Sequence, residues 1–405
     1  MDPSNIKPLV DWLMDGARST PVAQEVLTAL CERLTACGVP LWRASVFVRT
    51  LHPQILGRRF VWQPDTGTVI TPGAFDLLER EAFRNSPMTY VANTGKALRR
   101  RLADPDCPMD YSILPDLRDQ GITDYVVSPL HFTNGDVHFA SWATKQPGGF
   151  SDAEIAALDA IVVPLTRVAE IRALHRVAGI LLSTYVGENA GARVLAGQIR
   201  RGHTEEIHAA IWLSDMRGFT ALADRLPPQA LVDLLNRYFD CQVPPIHEHG
   251  GEVLKFMGDG LLAIFPTGAG ADVGKVCDAA LAAAYAARTK VAALQAAGGD
   301  DAGVRFGLAL HLGDVLYGNI GSGNRLDFTC IGPAVNLAAR LEKLTGRLNR
   351  TVVASELFAR YCPDDFHPIG RFAVAGFQEE QTAFGLNDET KPAAAESGTE
   401  RDNPS

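Results

Sequence analysis

Two aspartates, Asp215 and Asp259, each lie where the sequence predicts the end of a β-strand. Asp215 follows the apolar run 207–213 (IHAAIWL) and precedes a stretch with helical periodicity. Asp259 lies in a Gly-Asp-Gly turn between the predicted strands 252–257 and 261–265. Either residue alone could be a helix N-cap or a turn residue. Together they could converge on Mg²⁺, which accepts one or two carboxylates and keeps sites for phosphate oxygens. Two such ions can activate a hydroxyl group and stabilise a leaving pyrophosphate.

Three more polar residues have spacings that suit nucleotide chemistry. Lys255 lies four residues before Asp259, so we expect the two side chains on one face of the hairpin. A lysine at such a position can also be an ordinary surface residue. Gly-Pro at 332–333 predicts a helix start, and Asn336 and Arg340 follow at i and i+4 on one helical face. An Asn and an Arg on one exposed face suit an anion site.

These residues resemble the catalytic domain of the class III adenylate and guanylate cyclases. The similarity runs from about residue 183 to 386 and rests on the motifs DMRGFT, KFMGDG and TCIGPAVNLAAR. It implies Asp215, Met216 and Asp259 at the metal, Lys255 and Thr329 at the purine, and Asn336 and Arg340 at the transition state. It also implies two Mg²⁺ or Mn²⁺ ions per site, a nucleoside triphosphate substrate, and a homodimer with shared active sites.

The choice of purine depends on hydrogen-bond donors and acceptors. Lys255 can donate to adenine N1, whereas the N1–H group of guanine requires an acceptor. Thr329 can accept from the adenine 6-amino group, and the register of TCIGPAVNLAAR puts Thr329 rather than Cys330 at the second reading position. We therefore expect ATP rather than GTP as the substrate. The threonine also resembles a subgroup that includes bicarbonate-responsive cyclases.

The sequence departs from the cyclase pattern at Phe377. Family members commonly have a lysine there that holds the triphosphate, and Arg371 and Lys343 are candidates to replace it. Phe377 therefore favours one alternative, a catalytically weak nucleotide-binding signalling module. The other alternative is a guanylate cyclase, which Lys255 opposes.

The first 170 residues are predicted to form an α+β regulatory domain. The GGFSDAEIAALDAI stretch at 148–161 resembles the GAF family of sensor domains, and an unrelated α+β module is the alternative. The predicted elements are a helix at about 21–37, strands at 41–48 and 59–62, a hairpin with a type I′ turn at Asn134 and Gly135, and a helix opened by a Ser151–Glu154 capping box. Five side chains could line a small-molecule pocket or form the core: Trp42, Trp62, Trp142, His131 and His138.

The whole chain has a composition typical of a globular protein. Its 405 residues carry a net charge of -9, which argues against nucleic-acid binding. The seven cysteines lack C-x-x-C spacing, so we expect reduced thiols. Because no apolar run is long enough for a membrane helix and the N-terminus lacks a signal-peptide core, we expect no membrane span and a cytoplasmic protein. The predicted organisation is an α+β regulatory domain (1–170), a helical linker (171–202), an α+β cyclase-like domain with an antiparallel-rich sheet flanked by helices (203–386) and a disordered tail (387–405).

Overall fold

The computed structural model describes residues 6–20, 22–268, 270–323, 325–374 and 376–389. Two compact units divide the chain, and their boundary lies between Leu181 and Leu182. Both units combine β-sheet with α-helices. None of the helices among these residues is both long enough and apolar enough to cross a membrane.

The N-terminal unit is built on one six-stranded antiparallel sheet in the order β3-β2-β1-β6-β5-β4. Its elements are α1 (Lys7–Met14), α2 (Ala23–Ala36), β1 (Arg43–Arg49), β2 (Gly57–Gln63), β3 (Gly67–Gly73), α3 (Glu81–Arg84), α4 (Pro87–Thr94), β4 (Leu98–Arg100), α5 (Ile113–Asp119), β5 (Asp124–His131), β6 (Val137–Thr144) and α6 (Asp152–Val186). A 3₁₀ helix spans Phe75–Leu78. Apolar residues of α2 and α6 pack on one face of the sheet, and those of α4 and α5 pack on the other.

The capping box at the start of α6 is confirmed. The Ser151 N–H donates to Glu154 Oε2 at 2.7 Å, and the Glu154 N–H donates to Ser151 Oγ at 3.3 Å. The helix ends at Val186, immediately before Gly187 with its φ of +91°. The segment 171–202, predicted as a helical linker, therefore contains the last part of α6 and the whole of the next helix, Glu188–Leu195.

The β5–β6 hairpin is confirmed, but the predicted type I′ turn is wrong. A type I′ turn needs positive φ at both central residues, and only Gly135 has it, at +91°. Asn134 instead accepts a hydrogen bond from the Asp136 N–H at 3.0 Å. This side-chain contact favours a longer turn, closed where the Phe132 N–H donates to the Asp136 carbonyl.

The C-terminal unit contains an eight-stranded sheet with the main order β13-β14-β12-β10-β7-β9-β8, and β11 pairs with β10. Its elements are α7 (Glu188–Leu195), β7 (Thr204–Met216), α8 (Phe219–Arg225), α9 (Pro228–Asp240), α10 (Val243–Glu248), β8 (Glu252–Met257), β9 (Gly260–Pro266), α11 (Val273–Ala296), β10 (Phe306–Ser322), β11 (Arg325–Ile331), α12 (Pro333–Arg347), β12 (Val352–Ser355), α13 (Glu356–Ala359), β13 (Phe366–Phe372) and β14 (Gln381–Leu386). The β10–β12 pair is parallel and the others are antiparallel.

Side chains of β7 alternate between two cores because successive residues of a strand point to opposite faces. Trp212 packs in the core that contains residues of α9 and α11. Ile211 and Leu213 pack in a second core with residues of α7 and α12. Because both faces of β7 are packed in cores, the position of its C-terminal end is fixed.

The predicted disordered tail is wrong for its first three residues. Asn387–Glu389 form a 3₁₀ helix, in which Asp388 pairs with Arg288 and Glu389 Oε2 accepts from the Thr351 N–H at 3.0 Å. These contacts join the end of the described chain to α11 and β12. Residues 390–405 of the predicted tail lie outside the described residues.

Candidate active site

Asp215 is the penultimate residue of β7, and the turn that follows is held firmly in place. The Arg217 N–H donates to the Arg305 carbonyl at 2.8 Å. The Arg217 guanidinium donates to the Thr345 carbonyl at 2.8 Å and to the Arg350 carbonyl. These bonds tie the end of β7 to the strand and helix beside it. The backbone that carries the Asp215 carboxylate is therefore held in place at the C-terminal end of the central strand β7.

The β8–β9 hairpin brings Asp259 beside Asp215. Met257 pairs with Gly260, so Gly258 and Asp259 form a two-residue turn, and Gly258 has a φ of +70°. A Cβ atom at Gly260 would lie 3.0 Å from Asp215 Oδ1. A side chain at this position would crowd the Asp215 carboxylate and the Ser214 carbonyl, so Gly260 lets the carboxylate lie close to the end of the hairpin. The convergence predicted for the two aspartates is thus present.

The two aspartates share an electrostatically unfavourable site. Partial burial is the main cause that raises the pKa of Asp215 to about 6, and the charge of Asp259 and a hydrogen bond with Asp259 raise it further. A hydrogen bond from the Met216 N–H opposes this rise. The Met216 side chain is buried in the core, so only its main-chain atoms can face the carboxylates. Oxygen ligands with uncompensated negative charge suit a hard divalent cation. Within the described ranges, no group of three or more His, Cys, Asp or Glu residues has an arrangement that could hold a metal.

A third acidic residue near this pair, Glu342 of α12, did not emerge from the sequence. Burial, and then the charge of Asp215, raises the pKa of Glu342 to about 7. Its Oε1 would lie 3.1 Å from a Cβ at Gly307, which pairs with Asp215 across β7 and β10. In the sequence, Glu342 is distinguished only by its position on the same predicted helix as Asn336. The packing of α12 on the sheet is what brings Glu342 near Asp215.

Lys255 lies half-buried on β8, and its charge acts on Cys330. Burial raises the pKa of Cys330 to about 11, and Lys255 opposes that rise. Phe328 and Cys330 pack in the core beside Leu254, and adjacent strand residues point to opposite faces, so Thr329 points away from them. Thr329 is buried, and its hydroxyl has no hydrogen-bond partner among the residues that the structure describes. Lys255 therefore lies close enough to β11 for its charge to act on the Cys330 thiol.

Asn336 and Arg340 lie on α12, which begins at Pro333 as the sequence predicts. Ala334, Leu337 and Ala338 form the buried face of α12, whereas Asn336 is exposed and Arg340 is half-buried. Over the described part of the chain, Arg340 forms no ion pair, and no hydrogen bond joins either residue to the aspartate pair. Asn336 therefore faces solvent, and Arg340 is partly accessible.

Phe377 and its two candidate replacements lie in different places. Phe377 packs against the apolar cluster that contains Leu337. Arg371 Nε lies 3.8 Å from Glu380 Oε2 on an exposed surface. Lys343 follows Glu342 on α12, and its charge opposes the rise of the Glu342 pKa. Lys343 is therefore the candidate nearer to the acidic residues.

The aromatic and histidine candidates of the N-terminal unit have separate structural roles. Trp62 and Trp142 belong to the core. The Lys145 ammonium lies 3.8 Å from the ring centre of Trp42. His131 is exposed. His138 is buried, and this burial lowers its pKa. The His138 ring accepts a hydrogen bond from the Arg49 N–H at 3.3 Å. This set therefore divides between core and surface.

Comparison with known proteins shows what the C-terminal region is similar to. Residues 203–387 match the family described as the adenylate and guanylate cyclase catalytic domain. A functionally uncharacterised protein of Mycobacterium tuberculosis is 36% identical over 164 residues, 40% of this chain and 29% of that protein. An adenylate cyclase of Anabaena cylindrica is 30% identical over 164 residues, 38% of this chain and 31% of that protein. The structure of a bacterial light-regulated adenylyl cyclase aligns at 27% identity and a TM-score of 0.47, over 56% of this chain and 65% of that one. This chain thus spans less than a third of the length of these two curated relatives.

Proposed function

We propose that this chain, whose residues 203–387 match the adenylate and guanylate cyclase catalytic domain family, is a class III cyclase that converts ATP to 3′,5′-cyclic AMP and pyrophosphate. The observation that carries the proposal is the pairing of Asp215 with Asp259 at the end of β7. Two carboxylates held together in a rigid frame are what a metal-assisted phosphoryl reaction needs.

The acidic pair fits Mg²⁺ or Mn²⁺. Its donors are carboxylate oxygens, and burial, followed by the charge of Asp259, raises the pKa of Asp215. Asp215 and Asp259 would hold two ions, with main-chain atoms of Met216 as a further contact. When bound there, divalent ions help deprotonate the ribose 3′-OH and neutralise the departing pyrophosphate.

The polar residues of α12 supply the remaining charge stabilisation. The ribose 3′-oxygen attacks the α-phosphorus, and the bond between the α-phosphorus and the oxygen that bridges to the β-phosphorus breaks. Negative charge develops on the α-phosphate group and on the departing pyrophosphate. Arg340 donates hydrogen bonds to that charge, and Asn336 donates through its amide. Neither side chain is bonded to the acidic pair of its own chain, which suits donors that serve a different copy.

The active site is proposed to be shared between two copies of the chain. The Asp215–Asp259 pair of one copy would face Lys255, Asn336 and Arg340 of the other. Apolar side chains are exposed close to the proposed purine-reading residues. They are Phe256 and Met257 after Lys255, and Leu316 and Ile331, which pair across β10 and β11. Exposed apolar residues beside the site suit a surface that a second copy covers.

ATP is the proposed substrate because Lys255 can only donate hydrogen bonds. Adenine N1 accepts a hydrogen bond, whereas guanine N1 carries a hydrogen that would face the ammonium. The buried, unpartnered hydroxyl of Thr329 is proposed as the acceptor for the adenine amino group. Because the charge of Lys255 acts on Cys330, which is next to Thr329, a test of base choice has to separate Cys330 from Thr329.

The N-terminal unit is proposed to regulate the cyclase. The helix α6 begins in that unit at Asp152 and continues past Leu181 to Val186. One continuous helix therefore leads from the sheet of the regulatory unit into the catalytic unit. A GAF-like character of the regulatory unit remains part of this proposal.

A second candidate function is a weakly catalytic nucleotide-binding module. Phe377 favours it, since an apolar side chain packed beside Leu337 offers no charge to a triphosphate. The deciding experiment incubates the purified chain with ATP or GTP and Mg²⁺ or Mn²⁺, and separates the products by chromatography. Cyclic AMP from ATP supports the cyclase. Nucleotide binding with no cyclic product would support the second candidate instead.

A further inference from the structure

The N-terminal unit contains a cavity between one face of its sheet and two helices. The empty space in it is about 680 Å³ when the solvent at its open mouth is included. Most of the wall is aliphatic, with one aromatic ring, and comes from β1, β2, α2 and α6. The apolar lining residues are Ala23, Val26, Leu27, Val46, Val48, Phe60, Leu165, Val168, Ala169 and Ala173.

The polar part of the lining carries positive charge only. It consists of Thr50 and four arginines, Arg49, Arg58, Arg172 and Arg176, and the described residues of the lining include no acidic side chain. The Thr50 hydroxyl and Arg58 Nε are buried without a hydrogen-bond partner in the described chain. Unpartnered buried donors are costly, so these two atoms indicate a missing acceptor.

Arg58 and Arg176 are two cavity arginines whose positive charges are not balanced by an ion pair within the described residues. Burial, followed by the charge of Arg58, lowers the pKa of Arg176. Arg172 has a structural role, since its guanidinium donates to the Thr20 carbonyl at 2.7 Å. No ion pair involves Arg58 or Arg176 across the part of the chain that is described. Two neighbouring guanidinium groups that line a mostly apolar cavity are stabilised by a bound anion.

We propose that this cavity binds an aliphatic monocarboxylate, such as a medium-chain fatty acid. The carboxylate would accept hydrogen bonds from the guanidinium groups of Arg58 and Arg176, which match its planar geometry, and from the Thr50 hydroxyl. The hydrocarbon tail would lie among the aliphatic side chains. A nucleotide fits less well, because apart from Thr50 the lining has no Asn, Gln, Ser, Asp, Glu or His to bond a base or ribose.

The position of the cavity couples it to α6. Leu165, Val168, Arg172 and Arg176 all lie on this helix, which extends beyond the unit boundary to Val186. A ligand in the cavity would therefore contact the same helix that enters the catalytic unit. The binding proposal itself does not depend on the cyclase assignment.

The test uses isothermal titration calorimetry of the full chain with three ligands that share one tail: octanoate, 1-octanol and octylamine. We expect one octanoate per chain, with 1-octanol at least ten-fold weaker and octylamine not detected. Hydrogen bonds to a charged group contribute about 1.5–3 kcal/mol, so Arg58→Gln and Arg176→Gln should each weaken octanoate binding about ten-fold to a hundred-fold. The matched control is Arg59→Gln, since Arg59 is exposed and adjacent to Arg58 on the opposite face of β2.

A further variant, Ala169→Phe, tests the location independently of charge. It fills the cavity and should weaken octanoate and 1-octanol together, with its fold checked by thermal melting. Three results would overturn the proposal: no octanoate binding by the wild type, equal affinities for octanoate and 1-octanol, or equal losses in Arg59→Gln and Arg58→Gln. Because these readouts are binding constants, an inactive cyclase would leave the test intact.

Discussion

Replacing Glu342 by Gln should stabilise the metal-free C-terminal unit at alkaline pH. Glu342 is half-buried near Asp215, and its pKa of about 7 stands against an ordinary value of 4.5. Each pH unit between those two values corresponds to about 1.4 kcal/mol. After allowance for its partial exposure, the ionised side chain destabilises the folded state by about 1–3 kcal/mol above pH 7.

The pH dependence of this effect has a definite sign. Because the folded-state pKa is raised, the folded chain binds more protons than the unfolded chain between about pH 4.5 and 7. Stability therefore falls as the pH rises through that window, and it levels off above the folded-state pKa. The advantage of Glu342→Gln should be largest at pH 8 and should shrink toward zero as the pH approaches 4.5.

The assay is hydrogen–deuterium exchange of β7 peptides over increasing urea, which reports the free energy of unfolding of the catalytic unit. It is run at pH 8 and pH 5 without divalent ions. The control Glu206→Gln changes an exposed glutamate of β7 and should alter stability by less than about 0.5 kcal/mol at both pH values. A Glu342→Gln effect that is the same at both pH values would refute the electrostatic reasoning.

Two further predictions concern the metal and the base. Asp215→Ala should abolish cyclic AMP formation with an unchanged circular dichroism spectrum, while Asp224→Ala, at an exposed position of α8, should keep it. Wild-type turnover by Asp215→Ala would contradict the metal role. Unpaired buried polar groups cost about 1–3 kcal/mol each, so kcat/KM should favour ATP over GTP by about ten-fold to more than a hundred-fold. Lys255→Glu combined with Thr329→Cys should erode that preference and Cys330→Ser should not; equal wild-type values for the two nucleotides would show that Lys255 does not select the base.

The residues at strand and helix ends could be predicted because local rules fix those positions. Asp215 follows an apolar strand, Asp259 lies in a glycine-flanked turn, and Pro333 begins α12. Each feature depends on a few neighbouring residues, so the sequence pattern was enough. The capping box at the start of α6 belongs to the same class.

The features that could not be predicted depend on contacts between distant segments. Glu342 reaches Asp215 only because α12 packs on the sheet, and the two residues are far apart in the sequence. The end of the described chain is ordered because Asp388 meets Arg288 of α11. At Asn134, the side chain accepts a hydrogen bond from the Asp136 N–H, and this contact favours a longer turn than type I′. The preference of Asn-Gly for type I′ turns does not include this contact.

The most direct test of the shared active site is complementation between two inactive variants. Asp259→Ala removes a metal ligand and Arg340→Ala removes the transition-state donor, so each variant alone should form no cyclic AMP. Mixed in equal amounts, with subunit exchange verified separately, they should regain activity because each heterodimer keeps one intact site. Recovery of about a quarter of the wild-type rate is expected, since about half of the dimers would be mixed and each would carry one working site of two. If exchange is complete and no cyclic AMP forms, Asp259 and Arg340 do not act across two copies of the chain.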